Sequence, residues 1–297
     1  MSLAKLIQHF SDEDKCRETL KNLRWPGGEV CCPRCGDCSI SWISTREQWD
    51  CNGCRYRFSL TSGTIFDNTK IPLWKWFVAA YLMVESKKGI SAAQVGRTLD
   101  VSYPTAWHLC HRIREAMDDD DDLHRALLGG IVEIDETWVG GHQAGKGMGP
   151  YSTTNKTIVV GAVSRNGKAR LEVVEDRKRR TLYGFIRRNV SPDSTVYTDD
   201  FTSYRTLGQH FARHETVHHQ VKEWVHGDIH TNGVENVWSL LKRSIMGTFH
   251  KISTKHLDRY LDELEYRFNN RDNPFMFRDV LVRLLDGRAL RYHDLTA

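Results

Sequence analysis

Two kinds of residue cluster in this sequence could do chemistry: thiols at metal-ligand spacing, and carboxylates placed where charge is hard to hold. Cys32-Pro33-Arg34-Cys35 and Cys51-Asn52-Gly53-Cys54 are two C-x2-C turns separated by fifteen residues. Each turn lets two thiolates converge on one ion, and the stretch between them has the length of a β-hairpin. Four thiolates complete a closed tetrahedral shell, so the expectation is one structural Zn2+ on Cys32, Cys35, Cys51 and Cys54. Cys31 and Cys38 are possible substitutes as ligands. Cys16 and Cys110 fall in helical patterns and read as small buried hydrophobes. With six of the eight cysteines between residues 31 and 54, the pattern points to zinc in a reducing compartment rather than to cross-links.

The carboxylates fall in three places. The run Ile131-Val132-Glu133-Ile134-Asp135-Glu136-Thr137-Trp138 reads as a strand interior holding three acids. Burying a charge without a partner is costly, so such acids need a cation if the strand is central. Alternation puts Glu133, Asp135 and Thr137 on one face and Val132, Ile134 and Trp138 on the other. An edge strand with one solvated face would explain the run equally well. Val196-Tyr197-Thr198-Asp199-Asp200 is a second strand with acids at its C-terminal end, where α/β sheets usually place their sites. An aspartate capping the next helix is the competing explanation, and Asp200 suits that role. In the third place, residues 230–243, Val234, Val237, Trp238, Leu241 and Ile245 form an apolar stripe, with Glu235, Ser239 and Lys242 beside it. A carboxylate at a helix start with a lysine two turns later could hold a metal and a nearby phosphate. A dipole-favoured glutamate with a surface lysine would look the same.

The elements that must position these residues fall into three segments: 1–70, 71–122 and 123–297. The first is a short N-terminal helix and the Cys-rich module, which is too small to fold without its metal. Arg34, Arg46, Arg55, Tyr56 and Arg57 make it basic with aromatics interleaved, as suits nucleic acid. The second is helical. Ser91 caps a short helix with Gln94 in the capping-box position, residues 100–102 turn, and Ser102 caps a longer helix with Pro104 in its first turn. This matches a helix-turn-helix whose second helix exposes Thr105, His108, His111, Arg112 and Arg114, which suit phosphate and base edges; an ordinary helical bundle uses the same pattern. The five aspartates at 118–122 read as a solvated linker.

In the third segment, strands at 131–139, 156–164 and 169–175, with an Asn166-Gly167 turn, form a meander. A helix at 181–189, strands at 194–198 and 216–220, and helices at 234–246 and 255–269 follow. The fold class is α/β, a mixed sheet in ribonuclease-H-like order behind a zinc ribbon and a helix-turn-helix. His218, His219, His226 and His230 repeat no ligand spacing and read as hydrogen-bonding or surface groups, and Trp74, Trp76 and Trp238 read as core.

Together these pieces resemble the zinc-ribbon DDE transposases of bacterial insertion sequences, the group related to Merlin elements. The resemblance spans nearly the whole chain. It rests on CPRCG with CNGCRYRFSLTSGTIFDNTKIPL, on VEIDETWVGG, on VYTDDFTSY, and on the long stretch HTNGVENVWSLLKRSIMGTFHKISTKHLDRYLDELEYRFNNR. It implies catalytic acids at Asp135, Asp199 and Glu235, with thirty-five residues between the last two, and a basic partner at Lys242. It further implies two Mg2+ (or Mn2+) ions about 4 Å apart at those acids. The partners implied are duplex DNA, both element terminal repeats and target, and a homo-oligomer in the active complex. A domesticated zinc-ribbon regulator without catalysis, or a nuclease that cuts without joining, would share the modules. The net charge of +4 permits a polyanionic partner without demanding one. With no long apolar run and no signal-peptide layout at the N-terminus, the expected location is the cytoplasm, at the nucleoid.

Overall fold

The computed structural model describes residues 2–118, 126–140, 156–217 and 230–296. Four of the five linker aspartates, at 119–122, and the histidines at 218, 219 and 226 lie outside the described residues. The chain divides into two compact units, Met1–Asp118 with Asp272–Ala297, and Asp119–Arg271.

The first unit opens with helices α1 (Leu3–Phe10) and α2 (Glu13–Arg24). The Asp12 side chain caps α2 by accepting from the N–H of Asp14. A three-stranded antiparallel sheet follows, with β1 (Ile40–Ile43), β2 (Gln48–Cys51) and β3 (Arg57–Phe58) in that order. Helix α3 (Leu73–Glu85) is apolar on most sides and buried along most of its length. Its start is held by the Glu13 carboxylate, which accepts the Leu73 N–H at 2.9 Å. Helices α4 (Ala92–Leu99) and α5 (Tyr103–Glu115) then form the expected helix-turn-helix. Ser91 and Ser102 cap them through the N–H groups of Gln94 and Thr105, with Asp100 left-handed in the turn.

The second unit is a five-stranded sheet with helices on both faces. Strands β4 (Ile131–Gly140), β5 (Lys156–Ser164) and β6 (Ala169–Val174) form an antiparallel meander. Gly167, at φ +90°, takes the turn between β5 and β6 that Asn-Gly announces. Helix α6 (Arg179–Asn189) crosses to β7 (Thr195–Asp199), which pairs parallel with β4, and β8 (Arg213–Val217) adds to β7. The strand order β6-β5-β4-β7-β8 makes β4 central and is the ribonuclease-H-like arrangement expected. β8 begins three residues before the stretch read from the sequence, because the edge strand RHETV is polar and gives little apolar signal.

Helices α7 (Asn232–Ser244) and α8 (Leu257–Asn269) close the unit, with a π-helical turn at Ile245–Phe249 between them. Val132, Ile134, Val160 and Ala162 pack with Leu182, Phe185 and Ile186 of α6. Val159, Val163 and Ala169 pack on the opposite face with Val234, Val237, Trp238, Leu261 and Leu264 of α7 and α8. The chain then returns to the first unit as α9 (Met276–Asp286) and α10 (Tyr292–Thr296). The sequence division placed 272–297 with the catalytic segment. In the structure Phe277 instead meets Phe10, Phe77 and Tyr81, and Leu284 accepts the N–H of Ile65.

The helix-turn-helix departs from expectation in what α5 exposes. His111, Arg112 and Arg114 are buried. Arg112 donates to the carbonyls of Ile65 and Asp67 and lies over the Trp76 ring, and burial brings its pKa down to about 10. Arg112 thus ties the residue 65–67 loop and Trp76 of α3 to α5, and none of the three side chains is on the solvent-exposed face of the helix. What α5 offers to solvent is its start, with Tyr103 exposed and Thr105 half-buried.

Helix α8 is joined to the edge strand β6 by a buried ion pair, Arg170 with Glu265 at 3.1 Å, and Glu265 also accepts the Leu171 N–H at 2.8 Å. Removing one partner of such a pair leaves an uncompensated buried charge. Glu265→Ala is expected to cost the second unit about 3–5 kcal/mol in urea unfolding. A loss under about 1 kcal/mol would show that apolar packing alone docks α8.

Candidate active site and metal centre

The cysteine module is built as its spacing requires. Among the described residues, the one group whose ligand atoms all lie within 4.8 Å of one another is Cys32, Cys35, Cys51 and Cys54. Cys32 and Cys54 Sγ are 3.7 Å apart, and Cys35 and Cys51 Sγ 3.5 Å. A tetrahedron with Zn–S of about 2.3 Å has edges of about 3.8 Å, so the thiols fit zinc. The N–H groups of Arg34 and Cys54 point at Cys32 and Cys51 Sγ, as donors to thiolates. Gly53 is required in the second turn, since a Cβ there would strike the Asp37 carboxylate. Trp25, Trp42, Trp49, Tyr56 and Phe58 pack beside the site.

Cys31 and Cys38, read as alternative ligands and not as a cross-link, are joined in a disulfide. Their Cα atoms lie 4.1 Å apart across the first knuckle, which removes both from the ligand pool. Cys16 and Cys110 are fully buried, as read, and burial pushes the Cys16 thiol up to about 12. Chelation is expected to remove one zinc per chain and to expose residues 25–58 to protease while the catalytic unit stays resistant. Mass spectrometry of the fragments checks this, and a ribbon that survives chelation would show that its aromatic stack suffices without metal.

In the catalytic unit the three acids of β4 have three different fates. Glu133 lies on the α7 side and is buried. Its Oε2 accepts the N–H groups of Gly233 at 2.6 Å and Val234 at 3.2 Å, at the start of α7. Arg165 and His230 approach its Oε1 at 3.2 and 3.3 Å. A helix N-terminus is partly positive, so this acid has both a dipole and a cation. Gly233 is needed there, since a Cβ would come within 2.7 Å of Glu133 Oε2. Glu136 lies on the α6 side, paired with Arg177 Nε at 2.7 Å and accepting from the Tyr204 hydroxyl. Burial raises its pKa, while Tyr204 and Arg177 work against the rise.

Asp135 has no cation partner among the described residues. Its Oδ2 accepts from Trp238 Nε1 at 3.0 Å, a neutral donor one turn beyond Glu235. Burial, then the charges of Glu136 and Asp199, push its pKa up to about 6 against the pull of that indole and of the Glu136 N–H. The parallel register pairs Val132 with Val196 and Glu133 with Tyr197, and continued, it sets Asp135 level with Asp199. Asp199 Oδ1 accepts the Phe201 N–H at 3.1 Å, so Asp199 itself turns the chain at the strand end. The short 3-10 turn that follows, Thr202–Tyr204, has no side-chain cap, so Asp200 does not cap it.

Glu235 is exposed in the first turn of α7 and accepts from the Thr231 hydroxyl at 3.2 Å. Lys242 is exposed two turns further along. Asp135 and Asp199 are thus adjacent, and Glu235 stands on the helix that Glu133 and Asp135 both hold. All three are hard oxygen donors, which suit Mg2+ or Mn2+ rather than zinc.

Two contributors escaped the sequence reading. Trp238 was read as core; it is core, and it also carries the donor to Asp135. Gly161, opposite Asp135 on β5, makes room for it, because a Cβ there would lie 2.6 Å from the indole. A glycine inside an apolar strand was the available signal.

A family model described as the ISXO2-like transposase domain matches residues 127–269, and one described as the transposase zinc-ribbon domain matches residues 11–57. The chain belongs to the zinc-ribbon transposases of insertion sequences. A protein of the transposable element ISH50 from Halobacterium salinarum is 28% identical over 279 residues, 88% of this chain and 92% of the relative. A transposase-like protein of Haemophilus influenzae is 37% identical over 115 residues, 39% of this chain and 91% of that one. Mos1 transposase in a paired-end complex with the left transposon end is 12% identical over 70% of this chain and 78% of that chain, at a TM-score of 0.27. That superposition is too loose to define a shared site. Among the described residues, no helix of the transposase is long and apolar enough to cross a membrane.

The Asp135 environment has a stability consequence. A carboxyl that binds its proton more tightly folded than unfolded loses folding stability as pH rises between the two pKa values, here from about 4 to about 6. Above that window the cost is fully present. In metal-free protein Asp135→Asn is expected to abolish this slope and to raise stability at neutral pH by up to about 3 kcal/mol. Urea unfolding across the window checks it; a variant less stable than wild type at neutral pH would mean that Asp135 has a positive partner.

Proposed function

We propose that the protein is a DDE transposase in the mechanistic sense: it binds element ends, cleaves phosphodiester bonds and joins the 3′-OH ends to target DNA. Asp135, Asp199 and Glu235 would hold two divalent ions, Mg2+ or Mn2+. The observation that carries this reading is the contrast within β4, where Glu133 and Glu136 have cations and Asp135, beside a second carboxylate, has only neutral donors among the described residues. Two neighbouring carboxylates at the C-terminal end of a parallel strand pair await positive charge.

Bound ions would supply that charge, activate a nucleophile and stabilise a leaving oxygen. The chain's own residues set the geometry. Trp238 fixes the Asp135 carboxylate through Oδ2, leaving the other oxygen free of it. Thr231 orients Glu235, and Lys242, exposed two turns further along α7, would neutralise a phosphate held at the acids. The exposed Arg34, Arg46, Arg55 and Arg57 of the ribbon and the exposed start of α5 would grip the element end. Joining two ends requires at least two copies of the chain in the active complex.

A cleavage and joining assay with Mg2+ and duplexes carrying the element ends tests this. Asp135→Asn, Asp199→Asn and Glu235→Gln are each expected to lower product by about a thousandfold or more, with end binding retained. Near wild-type cleavage by any of the three removes that residue from the site. Binding with no cleavage by wild type would leave a DNA-binding regulator.

A further inference from the structure

Helix α6 carries charge that its own fold does not use. Arg179, Arg180, Tyr183, Gly184 and Arg187 line an open groove of about 590 Å3 on its outer face. Of the acids that precede the helix, Asp176 pairs with Lys178 at 2.6 Å and Glu172 with Arg188 at 2.7 Å, while Glu175 is exposed and its charge acts on Lys178. Arg179 lies over the Tyr183 ring, with its centroid 5.6 Å away, and Tyr183 is fixed from behind by its hydroxyl donating to the Thr206 carbonyl. The first turn of α6 holds two arginines and no acid, and no side chain caps it. Cations at a helix N-terminus oppose the helix dipole, and the one carboxylate bonded there, Asp176, which accepts from the Thr181 hydroxyl at 2.7 Å, is shared with Lys178, so a further anion is favoured.

The groove also begins at the carboxylate edge of the sheet. β6 runs parallel to β4, so α6 starts at the end of the sheet where Asp135 and Asp199 lie. Arg177, two residues before Arg179, is the cation on Glu136, next to Asp135. From Arg179 to Arg187 the helix advances ~12 Å, a length that spans about three successive phosphates of one strand along the duplex axis. We infer that the outer face of α6 is a track for the phosphodiester backbone of the duplex that enters the carboxylate site, with Arg179, Arg180 and Arg187 as its phosphate contacts. The inference rests on the transposase reading above and adds a second DNA surface, on the catalytic unit itself. Because the contacts are to phosphate, the track reads no sequence.

The test is the salt dependence of binding to a duplex that spans the junction of element end and flanking DNA. Each phosphate contact contributes about 0.9 to the slope of log K against log salt. The triple variant Arg179→Gln, Arg180→Gln, Arg187→Gln is expected to reduce that slope by about 2–3, with zinc content and melting temperature kept. Arg188→Gln, on the same helix but committed to Glu172, should leave the slope where it is. If wild type binds and the triple variant keeps the wild-type slope, the track is refuted and the transposase reading stands. If Arg188→Gln reduces the slope as much as the triple variant, the effect is one of overall charge and the track is likewise refuted. If wild type neither binds this duplex nor joins it, both fall together.

Discussion

A carboxylate in the middle of a β-sheet stays charged only if something positive comes to it, and that constraint organises the catalytic unit. Glu133 meets it with a helix N-terminus and Arg165, and in doing so fixes where α7 begins. Glu136 meets it with Arg177, which leads the chain into α6. Asp135 does not meet it from among the described residues. The two structural acids thus bring the two flanking helices to the strand, and the third is left between them with neutral donors alone among the described residues.

Much of this could be read in the sequence, and the parts that could not have physical reasons. The Asn-Gly turn, the serine caps of α4 and α5 and the C-x2-C pairs are local signals, each set by a few adjacent residues, and each stands in the structure where the sequence placed it. The β4 strand was legible too, including the face shared by Glu133 and Asp135. What periodicity could not supply was the partner: Glu133 is held by Arg165, 32 positions away, and by the backbone N–H of Gly233, 100 positions away. The same limit applies to α5. Arg112 and Arg114 look like a DNA-reading face until the loop at residues 64–69 and helix α3 close over that side of the helix.

The cysteines show the two situations side by side. The four ligands follow from spacing alone, because one ion imposes one geometry on two turns. The Cys31–Cys38 bond has no such signature; it arises because the first knuckle folds back on itself and brings its two flanks together.

The order of the units along the chain has a consequence for how the protein is made. Phe77 and Tyr81 of α3 rest against Phe277, and Ile65 bonds to Leu284, so the N-terminal unit is closed by residues synthesised after the whole catalytic unit. A ribosome translating this message releases Asp135, Asp199 and Glu235 before it releases the last helix that the N-terminal unit needs. A nascent chain cut short anywhere in the second unit leaves the apolar side of α3 uncovered, a substrate for quality control and not a free-standing N-terminal module. The insertion of one unit within the other therefore ties production of the ribbon-bearing unit to completion of the unit that carries the carboxylates.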